Sequence, residues 1–417
     1  MALLVYRCAT RALPLVAPSL LRKRLKHGKE DASRWREKLG EPTAPRPEGR
    51  LVWLHAVGLG EVLALRGLID AMSAQNPDLH FLVTSTARSS AQVMGGNLPP
   101  KSTHQFLPLD APRYLHQFLD HWQPDLSVWS EQDLWPNAVS LAHKRGIPVA
   151  LINARITDTS LDKRRLGRAL YSAMFCRMSL IAAQEDRTAR NLQALGAKNV
   201  RVTGSLKSAA PPLAFDSHEL KAAQNLLQGR KVWVAASTHA GDEAAALAAQ
   251  NVLRRKDPSQ LLVLVPRDSS RMRSIMQNFE NMSLSASVRS LNETVKDETD
   301  VYIADTYGEL GLWYRLCDRA LIGGGFDDIG GHNPWEAASL DCAILHGPDT
   351  LNFATDYTQL DEARAALATT ADNLPADLMR GDLRNFAENA KALSDDARNS
   401  LAPLANDLCA LLERPKT

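Results

Sequence analysis

The chain reads as an α/β protein built in two similar halves, each a parallel sheet layered with helices. Three observations predict this. Short apolar runs such as Leu51–Leu54 alternate with helical stretches of about 10 to 15 residues, the rhythm of parallel βα units. The alternation stops at the Pro-containing segment 208–218 and then restarts. At 417 residues the chain is also long enough for roughly two to three domains.

The stretch from Met1 to Leu21 is mostly apolar, but Arg7 and Arg11 interrupt it, and Pro14 and Pro18 are expected to break any helix there. It falls short of the roughly 20 apolar residues of a membrane span. It also lacks the leading charge and the cleavage site of a signal peptide. A basic stretch follows, with Arg22, Lys23, Arg24, Lys26, Lys29, Arg34, Arg36 and Lys38. An apolar segment beside a cationic one suits an anionic bilayer surface, where each Lys or Arg adds about 1 kcal/mol. An ordinary amphipathic helix packed on the domain, with a solvated charged face, is the other reading.

Pro42–Arg50 is a Pro-rich linker. Strands are then expected at Leu51–Leu54, Phe81–Thr84, Leu126–Trp129, Pro148–Asn153, Leu180–Ala183 and Val200–Thr203. A helix opens at Glu61, and a Ser/Thr-rich turn follows the second strand. In the second half, Lys231–Ala235, Leu261–Val265 and Arg319–Ile322 read as strands and His239–Asn251 as a helix. Helices and loops fill the remainder, up to a closing helix at Leu401–Leu412. The boundaries are a basic amphipathic segment at 1–45, a first domain at 46–210, a linker at 211–228 and a second domain at 229–417. The last helix can pack back on the first domain.

A chain that is 45% hydrophobic and 23% charged is not disordered, collagenous or a coiled coil as a whole. Its formal net charge of +2 gives no general affinity for nucleic acid. The five cysteines are scattered, odd in number and form no CxxC pair. This argues against a disulfide framework or a Cys-rich zinc site and fits a reducing compartment.

In parallel sheets, ligands gather at the C-terminal ends of strands. His55-Ala-Val-Gly-Leu-Gly-Glu61 follows the first strand directly, and Gly58 and Gly60 permit a tight turn. Glu61, at the mouth of the next helix, suits either a base for a hydroxyl or a favourable charge against the helix dipole. Glu131 to Asn137 brings together Glu131, Asp133, Trp135 and Asn137. Paired carboxylates there can accept several sugar hydroxyls; Trp135 equally suits core filling, and Asn137 suits helix capping. Arg155 closes the next strand with a fixed donor fork.

In the second half, the glycine-rich Gly323–Glu336 loop leads to a helix start at Pro334 and makes a nest for phosphate or carboxylate. It is neither GxGxxG nor GxxxxGK[ST], which counts against hydride transfer and P-loop ATP use. Ser237-Thr238-His239 offers backbone donors, Arg267 a guanidinium, and Glu336 a partner for ribose hydroxyls. His332 alone does not make a metal site.

Taken together, these motifs resemble the 3-deoxy-D-manno-octulosonic acid (Kdo) transferases of lipopolysaccharide assembly. The matching pieces run in order: HAVGLGEV at 55–62, FLPLDAP at 106–112, EQDLWPN at 131–137, NARITDTS at 153–160 and GSLK at 204–207. They continue with STHAGDE at 237–243, LVPRD at 264–268, DTYGEL at 305–310, GGGFDDIGGHNPWE at 323–336 and GPDTLNF at 347–353. The resemblance covers nearly the whole chain from residue 50. It implies a GT-B glycosyltransferase, with two Rossmann-like domains facing across a cleft, a lipid A precursor held by the first and CMP-Kdo by the second.

The resemblance also implies roles. Glu61 takes that of general base, Asp133 that of a second essential acid, and Glu131 that of its acidic partner. His55, Gly60, Arg155 and Lys207 fall on the acceptor side. Ser237, Thr238, Arg267, Gly308, Glu309, Gly324, Gly331, Asn333, Glu336 and Asn352 fall on the donor side. The implied outcome is inverting, with CMP-Kdo as donor substrate and neither cofactor nor metal. The implied place is peripheral, on the cytoplasmic face of the inner membrane through the basic N-terminus. Oligomeric state is left open.

Several positions depart from the family pattern. Gly58 and Gly325 replace serines, Asp133 a glutamate, Ser205 an asparagine and Asp268 a histidine, while Thr157 and Asp158 alter the NAR motif. Asp133 shortens its side chain by one methylene and so moves the carboxylate by about 1.5 Å. These changes bear on acceptor and donor choice. A related transferase using another acceptor or activated acid sugar, and a noncatalytic lipid- or nucleotide-binding paralogue, are therefore the alternatives.

Overall fold

The computed structural model describes residues 2–57, 59–86, 91, 98–131, 133–279 and 284–413. Gly58 and most of the Ser/Thr-rich turn after the second strand lie outside them. The chain divides into two compact units, one of Met1–Ala210 with Ala397–Thr417 and one of Pro211–Asp396.

In the first unit the strands are β1 (Leu51–His55), β2 (His80–Ser85), β3 (Ser102–Phe106), β4 (Leu126–Ser130), β5 (Val149–Ala154), β6 (Leu180–Ala183) and β7 (Val200–Val202). Their order among the described residues is β3-β2-β1-β4-β5-β6-β7, parallel at each pairing. β1, β4 and β5 are buried along their whole length. Helices cover both sheet faces, which is why these strands read as unbroken apolar runs. Successive side chains still alternate between faces. Trp53 packs with Phe118, Trp122 and Trp129 on one face, while Leu54 joins Leu65, Leu68, Leu404 and Leu408 on the other. Burying each such side chain contributes about 1.5–3 kcal/mol. The second of these clusters is completed by the helix Leu401–Leu412, packed on the helix Leu59–Gln75.

The N-terminal prolines do not break the chain as expected. Ala2–Thr10 and Leu13–Lys26 are both helical. Pro14 sits in the first turn of the second helix, where its missing N–H has no intrahelical acceptor to lose, and only Pro18 lies inside. Packing offsets that one lost bond: Ala17 and Leu21 are buried with Leu39 and Tyr114. No described helix is long and apolar enough to cross a membrane.

The second unit repeats the plan with β8 (Lys231–Thr238), β9 (Gln260–Pro266), β10 (Ala286–Val288), β11 (Val301–Ile303), β12 (Arg319–Ile322), β13 (Ala343–His346) and β14 (Ala366–Ala368). The order is β10-β11-β9-β8-β12-β13-β14, again parallel. Within 211–228, Ser217–Leu226 forms a helix capped by the Asp216 carboxylate, which accepts from the His218 and Glu219 amides. The region after β12, expected to hold only helices and loops, also contains β13 and β14.

These strand orders position the sites. In each sheet two neighbouring central strands send their connections in opposite directions, β1 and β4 in the first and β8 and β12 in the second. Segments leaving the C-terminal ends of those strands are the ones that converge on a ligand. They are the segments 55–61, 131–137, 237–239 and 323–336.

Candidate active site

In the first unit, three sequence-predicted residues form one cluster. Glu61 stands in the first turn of Leu59–Gln75, and its Oε2 accepts the Val57 amide at 3.0 Å. Glu131 leaves β4 in a left-handed conformation (φ 64°), its amide still donating to Ile152 O at 3.0 Å. That turn aims its carboxyl inward, where it hydrogen-bonds Glu61 and lies 3.2 Å from Lys207 Nζ. Burial pushes the Glu131 carboxyl up to about 7, the Glu61 charge and hydrogen bond adding to the rise while Lys207 opposes it. The raised proton affinity of Glu131 and its hydrogen bond to Glu61 give the two carboxyls different roles.

Lys207 reaches the cluster because its loop is anchored beneath. Asn153, buried and left-handed (φ 51°), accepts through Oδ1 from the Leu206 amide at 3.0 Å and from Gln184 Nε2 at 2.9 Å. Ser205 accepts the Lys207 amide through its hydroxyl at 3.2 Å.

Beside this cluster stand Asp133 and His55. Asp133 Oδ2 accepts from Trp135 Nε1 at 3.0 Å and lies 3.3 Å from His55 Nε2. His55 is fully buried, whereas the Asp133 side chain is 40% exposed, so the carboxylate is the member open to solvent. Arg155 is half-buried just past β5. Gly60 is part of the Leu59–Gln75 helix.

Sequence reasoning did not single out Asp110. It is buried, and its two carboxylate oxygens accept the Asn137 and Ala138 amides at 3.1 Å each, capping the helix Pro136–Lys144. Burial raises its carboxyl to about 6 against the pull of those bonds. Its place in FLPLDAP was the available signal.

In the second unit, Asp242 is the hub, again unassigned from sequence. Fully buried, it accepts through Oδ2 from His239 N at 2.9 Å and Gly324 N at 2.6 Å, and through Oδ1 from Phe326 N at 3.1 Å. It thus fastens the glycine-rich loop to the start of the helix Ala240–Lys256. Gly325 sits against the backbone of Gly347, and a Cβ there would lie 2.7 Å from Gly347 N. Gly324 and Gly331 are left-handed, at φ 80° and 73°.

This loop brings the predicted donor residues together. His239 and His332 stack, with their Nε2 atoms 3.0 Å apart. Burial, with Arg267 and His239 nearby, drives His332 down to about 4, so it is neutral at ordinary pH. Glu336 is half-buried and its carboxyl is raised by that loss of solvent, opposed by Asn333, whose Nδ2 donates at 3.4 Å, and by Arg267. Ser237 is left-handed (φ 57°), and Thr238 O accepts the Arg267 amide at 3.0 Å. Asn352 is tied to the loop by its amide donating to Gly330 O at 2.8 Å and its side chain to Ile329 O. Glu309 stands apart: Arg289 Nε and Nη2 engage both its oxygens, at 2.6 and 2.7 Å, just beyond the left-handed Gly308. Asp268 accepts the Ser270 amide at 2.9 Å and caps a short turn. No three His, Cys, Asp or Glu side chains group as a metal site among the described residues.

Comparison with known proteins bears on this chemistry. Residues 33–210 match the family described as 3-Deoxy-D-manno-octulosonic-acid transferase (kdotransferase). A 3-deoxy-D-manno-octulosonic acid transferase of Rickettsia bellii is 33% identical over 376 residues, covering 88% of this chain and 89% of its own. Its counterpart in Haemophilus influenzae is 31% identical, covering 80% and 79%. Among solved structures, the UDP-GlcNAc 2-epimerase of Neisseria meningitidis superposes with a TM-score of 0.58, over 87% of this chain and 99% of that one. At 14% identity that is a likeness of fold, the two-unit parallel α/β architecture of GT-B proteins. With the ordered motifs and the two strand-end clusters, these matches make the chain a member of the 3-deoxy-D-manno-octulosonic acid transferase family.

Proposed function

We propose that the protein is an inverting glycosyltransferase that moves Kdo from CMP-Kdo to a lipid A precursor. The observation that supports it most is the Glu61–Glu131 pair with Lys207 beside it, at the ends of β1 and β4. An attacking hydroxyl must lose its proton as its oxygen bonds the anomeric carbon. Glu61 receives that proton, while Glu131, its carboxyl raised by burial, holds Glu61 through the hydrogen bond between them. The bond from the anomeric carbon to the phosphate oxygen breaks, and its electrons leave with CMP.

CMP departs as an anion, so what helps it is positive charge and backbone donors rather than an acid. Arg267 and the amides of the Gly323–Glu336 loop supply these in the second unit, with Asn333 and Glu336 on the ribose side. Asp133 presents its exposed carboxylate to acceptor hydroxyls.

The two N-terminal helices expose Leu4, Val5, Leu15, Val16 and Leu20 next to the basic run from Arg22. That surface suits peripheral attachment to an anionic leaflet, in this reading the cytoplasmic face of the inner membrane. A second reading, transfer of another activated acid sugar, is favoured by Asp268, which adds negative charge next to Arg267.

The test is incubation with CMP-Kdo and a tetraacylated lipid A precursor, read by product mass. A gain of one or more Kdo units that disappears in Glu61→Gln is expected. No gain from folded protein that still binds CMP would overturn the reading in favour of another donor or acceptor.

A further inference from the structure

His55 is held more fully than any ligand-binding group needs to be. Its ring lies at the end of β1, fully buried, with the Trp129 ring 4.9 Å and the Trp135 ring 6.4 Å away between centroids. Both nitrogens have protein partners. Nδ1 lies 3.1 Å from Thr84 O and 3.0 Å from Thr84 Oγ1. That hydroxyl donates its own proton to Leu54 O at 3.2 Å and accepts from Trp53 Nε1 at 2.9 Å. Rotated toward Nδ1, the same hydroxyl can donate instead, so Thr84 holds this nitrogen with or without a hydrogen on it.

The other nitrogen faces Asp133 Oδ2 at 3.3 Å. A carboxylate is acceptor-only, so a hydrogen bond on that side needs the ring hydrogen on Nε2. We infer that His55 is a positioning residue, which through Nε2 and together with Trp135 fixes Oδ2 of Asp133 and leaves Oδ1 for a hydroxyl of the sugar acceptor. The acceptor part of this inference rests on the function proposed above; the anchoring of Asp133 does not.

Further observations agree. Oδ1 of Asp133 has no hydrogen bond among the described residues, while Oδ2 has two partners. Burial alone would raise the Asp133 carboxyl. The hydrogen bond and charge of His55 and the Trp135 bond outweigh it and hold the carboxyl below its ordinary value. Asp133 is one methylene shorter than glutamate, so it depends on a partner fixed from beneath to set where its oxygens point. Thr84, on the neighbouring strand β2, fixes that partner.

Two isosteric halves of the ring separate the roles. Gln at position 55 carries an amide near the place of Nε2, keeping a donor to Asp133 and giving up Thr84. Asn reaches only the place of Nδ1, keeping Thr84 and giving up Asp133. The readouts are kcat and KM for acceptor and donor, the melting temperature, and the ring 15N shifts of His55 in the unsubstituted protein. The shifts are assigned by their loss in His55→Gln.

His55→Asn is expected to raise acceptor KM about 10- to 100-fold, the range of a charge-assisted hydrogen bond, with donor KM unchanged. His55→Gln is expected to stay within about threefold on the same scale. Nε2 is expected to carry a ring hydrogen in the unsubstituted protein. Equal losses in both variants that track melting temperature and affect both substrates alike would overturn the positioning role. A ring whose only hydrogen sits on Nδ1 would overturn the anchoring of Asp133 whatever the kinetics of the variants. Should the unsubstituted protein transfer no Kdo, the function proposed above fails separately, and the ring shifts still decide the anchoring.

Discussion

Asn137 Nδ2 donates to Thr10 Oγ1 at 2.8 Å, joining the first helix of the chain to the loop that carries Glu131 and Asp133. Arg7 Nη2 adds a bond to Ser140 Oγ at 2.9 Å, and Tyr6 is hydrogen-bonded to Asp110. The N-terminal helices are therefore part of the first unit, and their exposed apolar residues are held on a fixed support.

The surface role of these helices is testable without disturbing that support. Leu15 and Val16 are 83% and 59% exposed. Replacing both with Asp is expected to change stability by less than about 0.5 kcal/mol per site. Recovery on phosphatidylglycerol vesicles in a flotation assay should nevertheless fall several-fold. Unchanged flotation would remove the patch from membrane attachment.

Glu131 gives the stability curve a sign. Its carboxyl titrates near 7 in the folded chain, above the ordinary 4.5. The folded state thus keeps a proton that the unfolded state releases. That contribution is complete below about pH 4.5 and is lost as pH rises through about 7. Glu131→Gln should therefore gain on the unsubstituted protein by about 1–3 kcal/mol between about pH 5 and 8. Urea midpoints measured across that range check it; parallel curves would show no retained proton.

Gly325 takes the place of the serine in the family motif that the sequence resembles, and here the Gly347 backbone fills the space. Gly325→Ser should lower stability by about 2 kcal/mol or more, since two backbone segments would have to part. Equilibrium denaturation reads this directly, and a neutral result would mean that the loop yields easily.

Arg289 engages Glu309 with two bonds and Glu219 with a third at 2.8 Å. Glu309→Gln should cost about 1–3 kcal/mol by weakening this partly buried pair. Calorimetric titration with CMP then separates a strut from a ligand contact. Affinity unchanged in the folded variant would assign Glu309 to the loop alone.

What could be read beforehand follows from where the information lies. β1, β4 and β6 are apolar runs whose burial is written in their own residues, and the motifs at 55–61 and 323–336 follow strands visibly. β3 (Ser-Thr-His-Gln-Phe) is a sheet-edge strand with a polar sequence, and β10, β11 and β14 have three residues each, too few to show a period. Their strand character comes from a neighbour's hydrogen bonds. The hub residues Asp110 and Asp242 were invisible for a related reason: apart from the His239 amide, which Asp242 caps locally, the amides they hold belong to segments distant in the chain. Pro18 in a helix reflects packing winning over local propensity.

The returning helix Leu401–Leu412 has a consequence for how the chain can be made. Its leucines seal the same apolar cluster as Leu65, Leu68 and Met72, and Gln75 Nε2 donates to Ala402 O across 327 residues. A ribosome therefore releases Pro211–Asp396 as a contiguous stretch able to collapse while the first unit still waits for its final side. Until Leu412 emerges, the helix Leu59–Gln75 shows an oily flank to the cell. Nascent chains stalled before residue 400 should be the ones that chaperones hold.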